Sequence, residues 1–329
     1  MAANFETGFS ASGVTPWHGL GEVIKNAPTS EEAIRIAGLD WEVIPQPVYD
    51  SFGREIKGYK VNVRSSDNKI LGMVTDKYKV VQNAEAFAFT DALLGEGVKY
   101  ETAGSLASGK RVWMLARMEN TTLCEENIDP YLVFTNSHDG TGAVRVAITP
   151  VRVVCQNTLN LALQKASRHW SCAHKGKIDE KLEEARYTLA SAERYMEVLA
   201  EEFGELKLKK VTEAQVRNMT ERLLQIEFDA LYKKAMHDPK IINLGEYMRK
   251  HDYEGKLDRK RQEILGIYFE KPDLRETEHT AFRFVNAVSD YATHTTDHRE
   301  TKNYRENLFM KTIDGNSMIV TAHKIALVA

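Results

Sequence analysis

The chain has 329 residues, with 47 acidic side chains against 44 lysines and arginines, and a formal net charge of −3. This balance excludes a uniformly basic nucleic-acid-coating protein, but it is compatible with a local basic groove. Three cysteines, an odd number, argue against a disulfide framework and fit a reducing compartment. The first residues form no signal peptide, and no apolar run approaches the ~18 residues of a membrane helix. We therefore expect a cytoplasmic protein with no membrane partner.

The first hundred residues predict strands with inserted helices. Thr29 and Glu32 form a capping-box pattern before an apolar run that Gly38 ends, so a short helix is expected there. From Trp41 onward apolar and polar residues alternate, which predicts a meander of strands. The alternating segments are 41–49, 54–64, 70–75 and 77–81.

A second helix and a second set of strands follow. Asn83 can cap this helix and Gly95 can end it. Alternation then predicts strands over 98–104, 110–118, 131–137 and 143–154. The pair Asp139 and Gly140 marks a tight turn between the last two strands. After Val154 the apolar spacing becomes helical, which predicts a helix to about residue 166.

The rest of the chain has helical periodicity. Apolar residues from Ile178 to Phe203 recur at steps of four and three, the a and d positions of a heptad seam. This predicts one long helix that ends at Gly204. Thr212 opens a second helix with a capping box, and the two could form a hairpin. Further helices are expected after Pro239 and over the last sixty residues.

These elements together predict an α+β fold. Its core is an antiparallel β-meander with inserted helices, and a long helical hairpin and a helical C-terminal region are added to it. The composition pattern divides the chain into an α+β core domain over residues 1–177, a helical hairpin region over 178–270 and a C-terminal helical segment over 271–329.

One stretch resembles a phosphate-binding loop but departs from that motif. Gly104 to Lys110 fits the first seven positions, but the eighth is Arg111 where a magnesium-binding Ser or Thr is needed. The residues that follow alternate like a strand, whereas a phosphate-binding loop opens a helix. A hairpin turn explains the same residues, and Cys155 is best explained as a buried apolar thiol.

Two histidine groups carry metal-ligand side chains. His169, Cys172 and His174 lie within six residues, but the second pair of ligands that a structural zinc site needs is missing. His294 and His298 lie one helical turn apart, without the glutamate that follows the first histidine of a metalloprotease helix. We predict a non-enzymatic protein with no catalytic residue, no cofactor and no metal. Whether either histidine group binds metal is left open.

The most unusual feature is a window from Thr141 to Lys177, 37 residues without a single Asp or Glu. Its positive potential would attract a phosphate backbone, and Trp170 could stack on an unpaired base. Lys165 and Arg168 are three apart on the predicted helix and so project from one side. The alternative is a solvated face balanced by the acidic helix that follows. The expected nucleic-acid contacts are Arg145, Arg152, Lys165, Arg168, Trp170, Lys175 and Lys177.

Several motifs resemble the DUF932 family of phage and plasmid proteins. They are WHGLG at 17–21 and the stretches 73–87, 109–118, 152–160 (RVVCQNTLN) and 282–299. The resemblance covers nearly the whole chain and implies a protein encoded on phage, prophage or plasmid genomes, acting in a bacterial host cell. It implies no assigned activity.

A weaker resemblance is architectural. A β-meander followed by a helix, further strands and a basic element is similar to the core of Rad52-like single-strand annealing proteins. That resemblance implies rings that hold one nucleic-acid strand in a basic groove, and therefore a homo-oligomer.

The acid-free window and the two resemblances together predict a non-enzymatic phage or plasmid protein that binds single-stranded DNA and promotes annealing in recombination. The competing prediction is an accessory interaction protein, which binds a host or phage protein through the helix from Ile178 to Phe203.

Overall fold

A computed structural model describes residues 5–11, 22–95, 98–118, 121–123, 126–152, 157–158, 168–189, 192–275, 278–295 and 315–329. The strands are β1 (Phe5–Ala11), β2 (Glu22–Ile24), β3 (Val43–Tyr49), β4 (Glu55–Arg64), β5 (Ile70–Thr75), β6 (Lys99–Leu106), β7 (Arg111–Arg117), β8 (Thr121–Leu123), β9 (Glu126–Ser137), β10 (Val144–Arg152), β11 (Asn157–Thr158) and β12 (His169–Cys172).

The helices are α1 (Ser30–Ile36), α2 (Asn83–Leu94), α3 (Ile178–Leu189), α4 (Ala192–Leu208), α5 (Glu213–Met236), α6 (Leu244–Lys250), α7 (Tyr253–Glu270), α8 (Pro272–Arg275), α9 (Ala281–Asp290) and α10 (Ser317–Val328). A π-helical turn over Tyr291–Thr295 continues α9. The α+β fold class is confirmed, since antiparallel sheets dominate the first half and helices the second.

Two sheets organise the first half of the molecule. In the described part of the chain, nine strands form the large sheet in the order β11–β10–β9–β7–β6–β1–β2, with β12 also beside β10 and β8 beside β9. Strands β3, β4 and β5 form a small sheet. All neighbouring pairs are antiparallel except β1 and β2.

Local signals placed the first helices correctly. Thr29 caps α1, and its backbone N–H donates to the carboxylate of Glu32 at 3.0 Å. Gly95 ends α2 with a φ of +88°, a left-handed conformation that favours glycine. The predicted cap of α2 is shifted by one residue. Gln82 caps this helix, because the side chain of Asn83 is buried and donates to the carbonyl of Leu39.

The predicted strand over residues 77–81 is wrong. In this segment the backbone N–H of Lys79 donates to the carbonyl of His174 at 2.9 Å, and the hydroxyl of Tyr78 donates to the carbonyl of Ser137. Both hydrogen bonds are to residues distant in sequence. The segment therefore connects the small sheet to the large one, although its own residues alternate like a strand.

Strand β10 runs unbroken through Pro150. This proline lies opposite Pro130 of β9, where neither residue supplies an N–H to the ladder. The predicted helix after Val154 is wrong at its start, because Asn157–Thr158 form strand β11 beside β10. Residues 159–167 lie outside the described part of the chain.

The heptad seam is divided between α3 and α4, and α4 continues through Gly204 to Leu208. The side chains of Met196, Leu199 and Phe203 are buried in the core of the protein, and Phe203 lies edge-on to Phe282 of α9 at 4.9 Å.

The helix that begins at Thr212 was predicted to pair with the seam helix, but it pairs with a later helix. Helix α5 begins at the Thr212 cap as expected, and it packs against α7. The ion pairs between α5 and α7 include Glu227 with Lys260 at 3.1 Å and Glu221 with Arg261 at 2.9 Å. Helix α4 instead packs against α9, because its apolar stripe matches the fully buried surface of that helix.

One continuous core cluster contains buried apolar side chains from both halves of the chain, the first at Phe9 and the last at Ala326. A second cluster, which includes Trp113, Leu115 and Val133, lies on the other face of the large sheet, as strand alternation requires. The domain boundaries at 177 and 270 stay predictions. In the described parts of the chain, no helix is both long and apolar enough to cross a membrane.

Candidate nucleic-acid interface

The predicted cations differ in their exposure to solvent and in their ion pairs. Arg145 is exposed on β10, and Lys175 is exposed in the loop after β12. Lys177 is exposed as well, but its ammonium lies 2.5 Å from the carboxylate of Glu180. The acidic helix that follows the window therefore balances part of its charge.

Two predicted contacts are buried to different extents. Arg168 is 7% exposed, and its guanidinium donates to the carbonyl of Ile148 at 3.1 Å. Trp170 of β12 lies opposite Val146 of β10. Its side chain is half-buried and packs against the core. The burial of Arg168 keeps its guanidinium from a nucleic acid, whereas the partly exposed Trp170 stays a prediction. Lys165 and the side chain of Arg152 lie outside the described residues, and the backbone of Arg152 ends β10.

Arg145 lines a cleft of about 190 Å³ at one end of the large sheet. The second cation of the cleft is Arg111, at the start of β7. Strand pairing explains why they meet. Arg145 lies opposite Thr135 of β9, and Arg111 lies opposite Ser137 two residues further along the same strand. Alternation puts all four side chains on one face of the sheet.

The cleft is cationic. Among the residues that the structure describes, two arginines and no carboxylate line it, and the hydroxyl residues Thr135, Ser137 and Thr141 form much of its polar wall. Asp139 lies just behind the wall, where its carboxylate accepts hydrogen bonds from the hydroxyls of Ser137 and Thr141 at 2.6 and 2.7 Å.

Asp139 remains ionised in this position. Burial favours a higher pKa, but the hydrogen bonds from Ser137 and Thr141 and the charge of Arg111 lower the pKa of Asp139 below its ordinary value. The hydrogen bonds that Asp139 accepts from Ser137 and Thr141 lie within the loop between β9 and β10, and they hold this loop beside the arginines.

Arg111 is not among the contacts predicted from the sequence, where it is only the residue that departs from the phosphate-binding-loop motif. The hairpin explanation is confirmed, since Ala107, Ser108 and Gly109 adopt positive φ values in the tight turn between β6 and β7. The only signal for Arg111 was its position at the start of an alternating segment. That signal becomes useful once the strand partners are known.

The sequence-predicted group of His169, Cys172 and His174 does not assemble. His169 is exposed, and Cys172 is half-buried on the opposite side of β12 by alternation. His174 is buried, whereas His294 is exposed in the π-helical turn and His298 lies outside the described residues. Over the described ranges, no group of three or more His, Cys, Asp or Glu residues could hold a metal ion.

Sequence comparison establishes the class of protein. The model of the DUF932 family, a domain of unknown function, matches residues 70–311. Because this match covers more than half of the chain, the protein belongs to that family. No curated protein and no solved structure matches the chain.

Proposed function

We propose that this protein binds single-stranded nucleic acid without enzymatic activity, and that the cleft between Arg111 and Arg145 holds phosphate groups. The observation that supports the proposal is this cleft, where two guanidinium groups and several hydroxyls meet on a lining without carboxylates. Guanidinium groups bind phosphate oxygens through paired, charge-assisted hydrogen bonds. The hydroxyl of Thr135 can add a further donor, since those of Ser137 and Thr141 donate to Asp139.

The exposed end of the basic window extends this surface. Ser171 of β12 lies opposite Arg145, and Lys175 follows in the loop directly after the strand. We propose that a phosphate backbone that leaves the cleft along this edge contacts Lys175 next. Arg168 is not part of the proposed contact surface.

The test is fluorescence anisotropy of a labelled oligo-dT at 50 and 200 mM salt. We expect binding that weakens steeply with salt, because counterions are released from the strand. The double variant Arg111→Glu/Arg145→Glu should lose at least tenfold in affinity, since each charge-assisted contact is worth about 1.5 to 3 kcal/mol.

The control carries the same charge change elsewhere. Lys233 and Lys234 are exposed near the end of α5, so Lys233→Glu/Lys234→Glu should retain most of the affinity. Absence of binding at either salt concentration would overturn the proposal. Equal losses in the two double variants would show that net charge, and not the cleft, determines binding.

Strand annealing by a homo-oligomer is the finer form of the proposal. It predicts that light scattering detects a multimer of the full chain, and that the protein accelerates pairing of complementary oligonucleotides. A monomer that binds oligo-dT without accelerating pairing would retain the binding function and exclude annealing.

A second candidate function is that of an interaction protein. The seam from Ile178 to Phe203 is not its best surface, since the described seam residues are largely buried. The outer face of the small sheet is more suitable, because Ile44, Ile70 and Met73 are exposed there by 42%, 62% and 60%. Apolar patches of this kind mark protein-binding surfaces. Loss of a co-purifying phage or host protein in Ile70→Ser/Met73→Ser, with oligo-dT binding absent, would favour this candidate.

A further inference from the structure

The walls of the proposed phosphate cleft limit what can enter it. Leu106 and Trp113 line the cleft from the sheet, and their side chains are 2% and 1% exposed. Residues 141–143 of the loop between β9 and β10 form a wall at the end of the sheet. This loop is joined to the turn between β6 and β7, because the backbone N–H of His138 donates to the carbonyl of Lys110 at 2.7 Å. The cleft is therefore closed at its loop end.

The cleft offers charge but no surface for a base. Among the residues that the structure describes, Trp113 is the one aromatic side chain in the lining, and its indole N–H donates to the hydroxyl of Thr102 at 3.3 Å. A ring that is 1% exposed cannot stack on a nucleic-acid base. The polar side chains of the lining that are not buried include Arg111, Thr135 and Arg145. The cleft is thus built to bind an anion and not a base.

The two arginines flank a single position on the sheet. Arg111 and Arg145 lie on the strands on either side of β9, opposite Ser137 and Thr135. The spacing of strands and of residues along them places the two Cα atoms about 12 Å apart. Both side chains line the same cleft, so an anion bound over Thr135 lies between two guanidinium groups.

Two guanidinium groups match the end of a strand better than its interior. A phosphate within a strand carries one negative charge and has two oxygens that are not bonded to a sugar. A terminal phosphate carries about −1.5 to −2 at neutral pH and has three acceptor oxygens. Guanidinium groups bind phosphate oxygens in pairs, so two of them are best satisfied by the larger number of oxygens and the larger charge.

We infer that the cleft selects a phosphomonoester, which in a nucleic acid is the phosphorylated end of a single strand. This inference rests on the proposed function, because it concerns the same cleft. A terminal phosphate is joined to the strand on one side only, and this fits a cleft with a closed end. Inorganic phosphate and mononucleotides carry the same chemical group, so the experiment must separate these ligands from a strand end.

Asp139 opposes a doubly charged ligand. Its carboxylate accepts hydrogen bonds from the hydroxyls of Ser137 and Thr141, and its charge interacts with that of Arg111. The carboxylate therefore has two effects. It holds the wall of the cleft in place, and it offsets part of the positive potential that attracts the phosphate. Asparagine at this position keeps the acceptor oxygen Oδ1 and removes the charge.

The experiment measures fluorescence anisotropy of labelled oligo-dT with a phosphate at the 5′ end, at the 3′ end or at neither end. We expect binding about tenfold tighter for one of the two phosphorylated strands than for the strand with hydroxyls at both ends. Arg111→Gln should remove this preference. Arg222→Gln, at an exposed arginine of α5, is the matched control and should keep it.

The outcomes separate the inference from the proposed function. If no strand binds, the proposed function itself fails. Equal binding of all three strands, with a loss in Arg111→Glu/Arg145→Glu, would retain nucleic-acid binding and overturn the selection of ends. Inorganic phosphate or thymidine monophosphate that competes as well as the phosphorylated strand would show that the ligand is the small anion, and this too would overturn the assignment to a strand end.

The pH dependence gives a readout that belongs to the ligand. A phosphomonoester loses its second charge near pH 6, whereas a phosphodiester does not titrate there. The preference for the phosphorylated strand should therefore fall severalfold between pH 7.5 and 5.5. The pKa of Asp139 lies below its ordinary value and that of the adjacent His138 is about 3, so neither changes its charge in this range.

One histidine lies on the same face of the sheet as the arginines. His169 of β12 lies opposite Ala147, one pair of residues beyond Ala147's neighbour on that face, Arg145. His169→Gln should keep the pH dependence of the preference. A preference that does not change with pH, or one whose pH dependence disappears in His169→Gln, would contradict the selection of a phosphomonoester.

A second variant covers the case in which Arg111→Gln does not fold. Asp139→Asn should bind the phosphorylated strand severalfold more tightly than the wild type does, because the opposing charge is removed while the loop keeps its hydrogen bonds. Unchanged affinity for the phosphorylated strand in folded Asp139→Asn would mean that the phosphate does not lie beside this loop, and the inference would be wrong.

Discussion

The molecule buries polar groups in two contrasting ways. In the ionic cluster, Nε of Arg117 lies 2.9 Å from the carboxylate of Glu101, and its Nη1 lies 3.7 Å from that of Asp129. The second group, which we call the histidine cluster, consists of Asn62, His138 and His174. Their side chains form no ion pair with another described residue, and neutral hydrogen bonds hold their orientation.

The two clusters differ in whether a counter-ion accompanies the buried groups. Burial raises the pKa of Glu101 although Arg117 opposes the shift, and burial lowers the pKa of His138 to about 3. Desolvation thus disfavours charge in both places. Only the ionic cluster contains a cation in contact with its carboxylates, so only there does removal of one side chain leave uncompensated charge.

The largest expected effect is the removal of that cation. Arg117→Leu leaves two buried carboxylates without a counter-ion and should lower the free energy of unfolding by about 3 to 4 kcal/mol, because Arg117 is itself partly exposed. Urea denaturation at pH 7 measures it. Lys99 lies opposite Arg117 on β6 and is exposed, so Lys99→Leu should change stability by under about 0.5 kcal/mol. Equal effects of the two variants would remove the contrast between the clusters.

The next effect is the pH dependence of the histidine cluster. The folded pKa of His138 is depressed, so the unfolded chain binds a proton that the folded one does not as the pH falls from 6.5 towards 3. Stability is complete above pH 6.5 and should be about 3 kcal/mol lower at pH 4. Glu101 acts in the opposite direction, because its folded pKa is raised.

Urea denaturation of wild type and His138→Gln in EDTA, at pH 7, 5.5 and 4, checks this expectation. The Gln variant should lose less stability on acidification than wild type. His169→Gln, at an exposed histidine, should follow the wild-type curve. Parallel curves for wild type and His138→Gln would show that another group causes the acid sensitivity.

A smaller effect is expected at Tyr78, which connects the histidine cluster to β9. Tyr78→Phe removes the hydroxyl that donates to the carbonyl of Ser137 and should cost about 1 to 2 kcal/mol. Tyr59→Phe is the matched control, because Tyr59 is 48% exposed and its hydroxyl can be replaced by water. Thermal unfolding followed by circular dichroism compares the two. If both variants lose the same stability, the connection to β9 is not important.

The smallest effect concerns the ionic cluster. Arg117 donates to the hydroxyl of Tyr131 at 3.2 Å, so Tyr131→Phe should cost about 1 kcal/mol. In a double-mutant cycle with Arg117→Leu the two costs should not add, because they share this contact. Strict additivity would mean that the hydroxyl of Tyr131 contributes independently of Arg117.

Part of the fold was accessible to sequence reasoning because its signals are local. Capping residues placed the starts of α1 and α5, and alternation placed β4 and β5, since both depend on near neighbours in the chain. The segment 77–81 alternates equally well but is not a strand, because its hydrogen bonds go to Ser137 and His174.

Only part of the candidate site could be predicted from the sequence. Composition pointed to Arg145, but it gave equal weight to Arg168, which the pairing of β12 with β10 buries. Arg111 became part of the site through the register of β7 and β10 on the two sides of β9. Register depends on which strands pair, and a single sequence does not specify that pairing.

The sequence by itself determined the α+β class, the position of most helices and strands, the family and the acid-free window. These follow from periodicity, capping and composition, which act over a few residues or over a whole segment. The tertiary structure decided which charges are exposed, which helices pair and which histidines are buried. Asn62, His138 and His174 belong to three separate segments, and only tertiary packing buries their polar side chains.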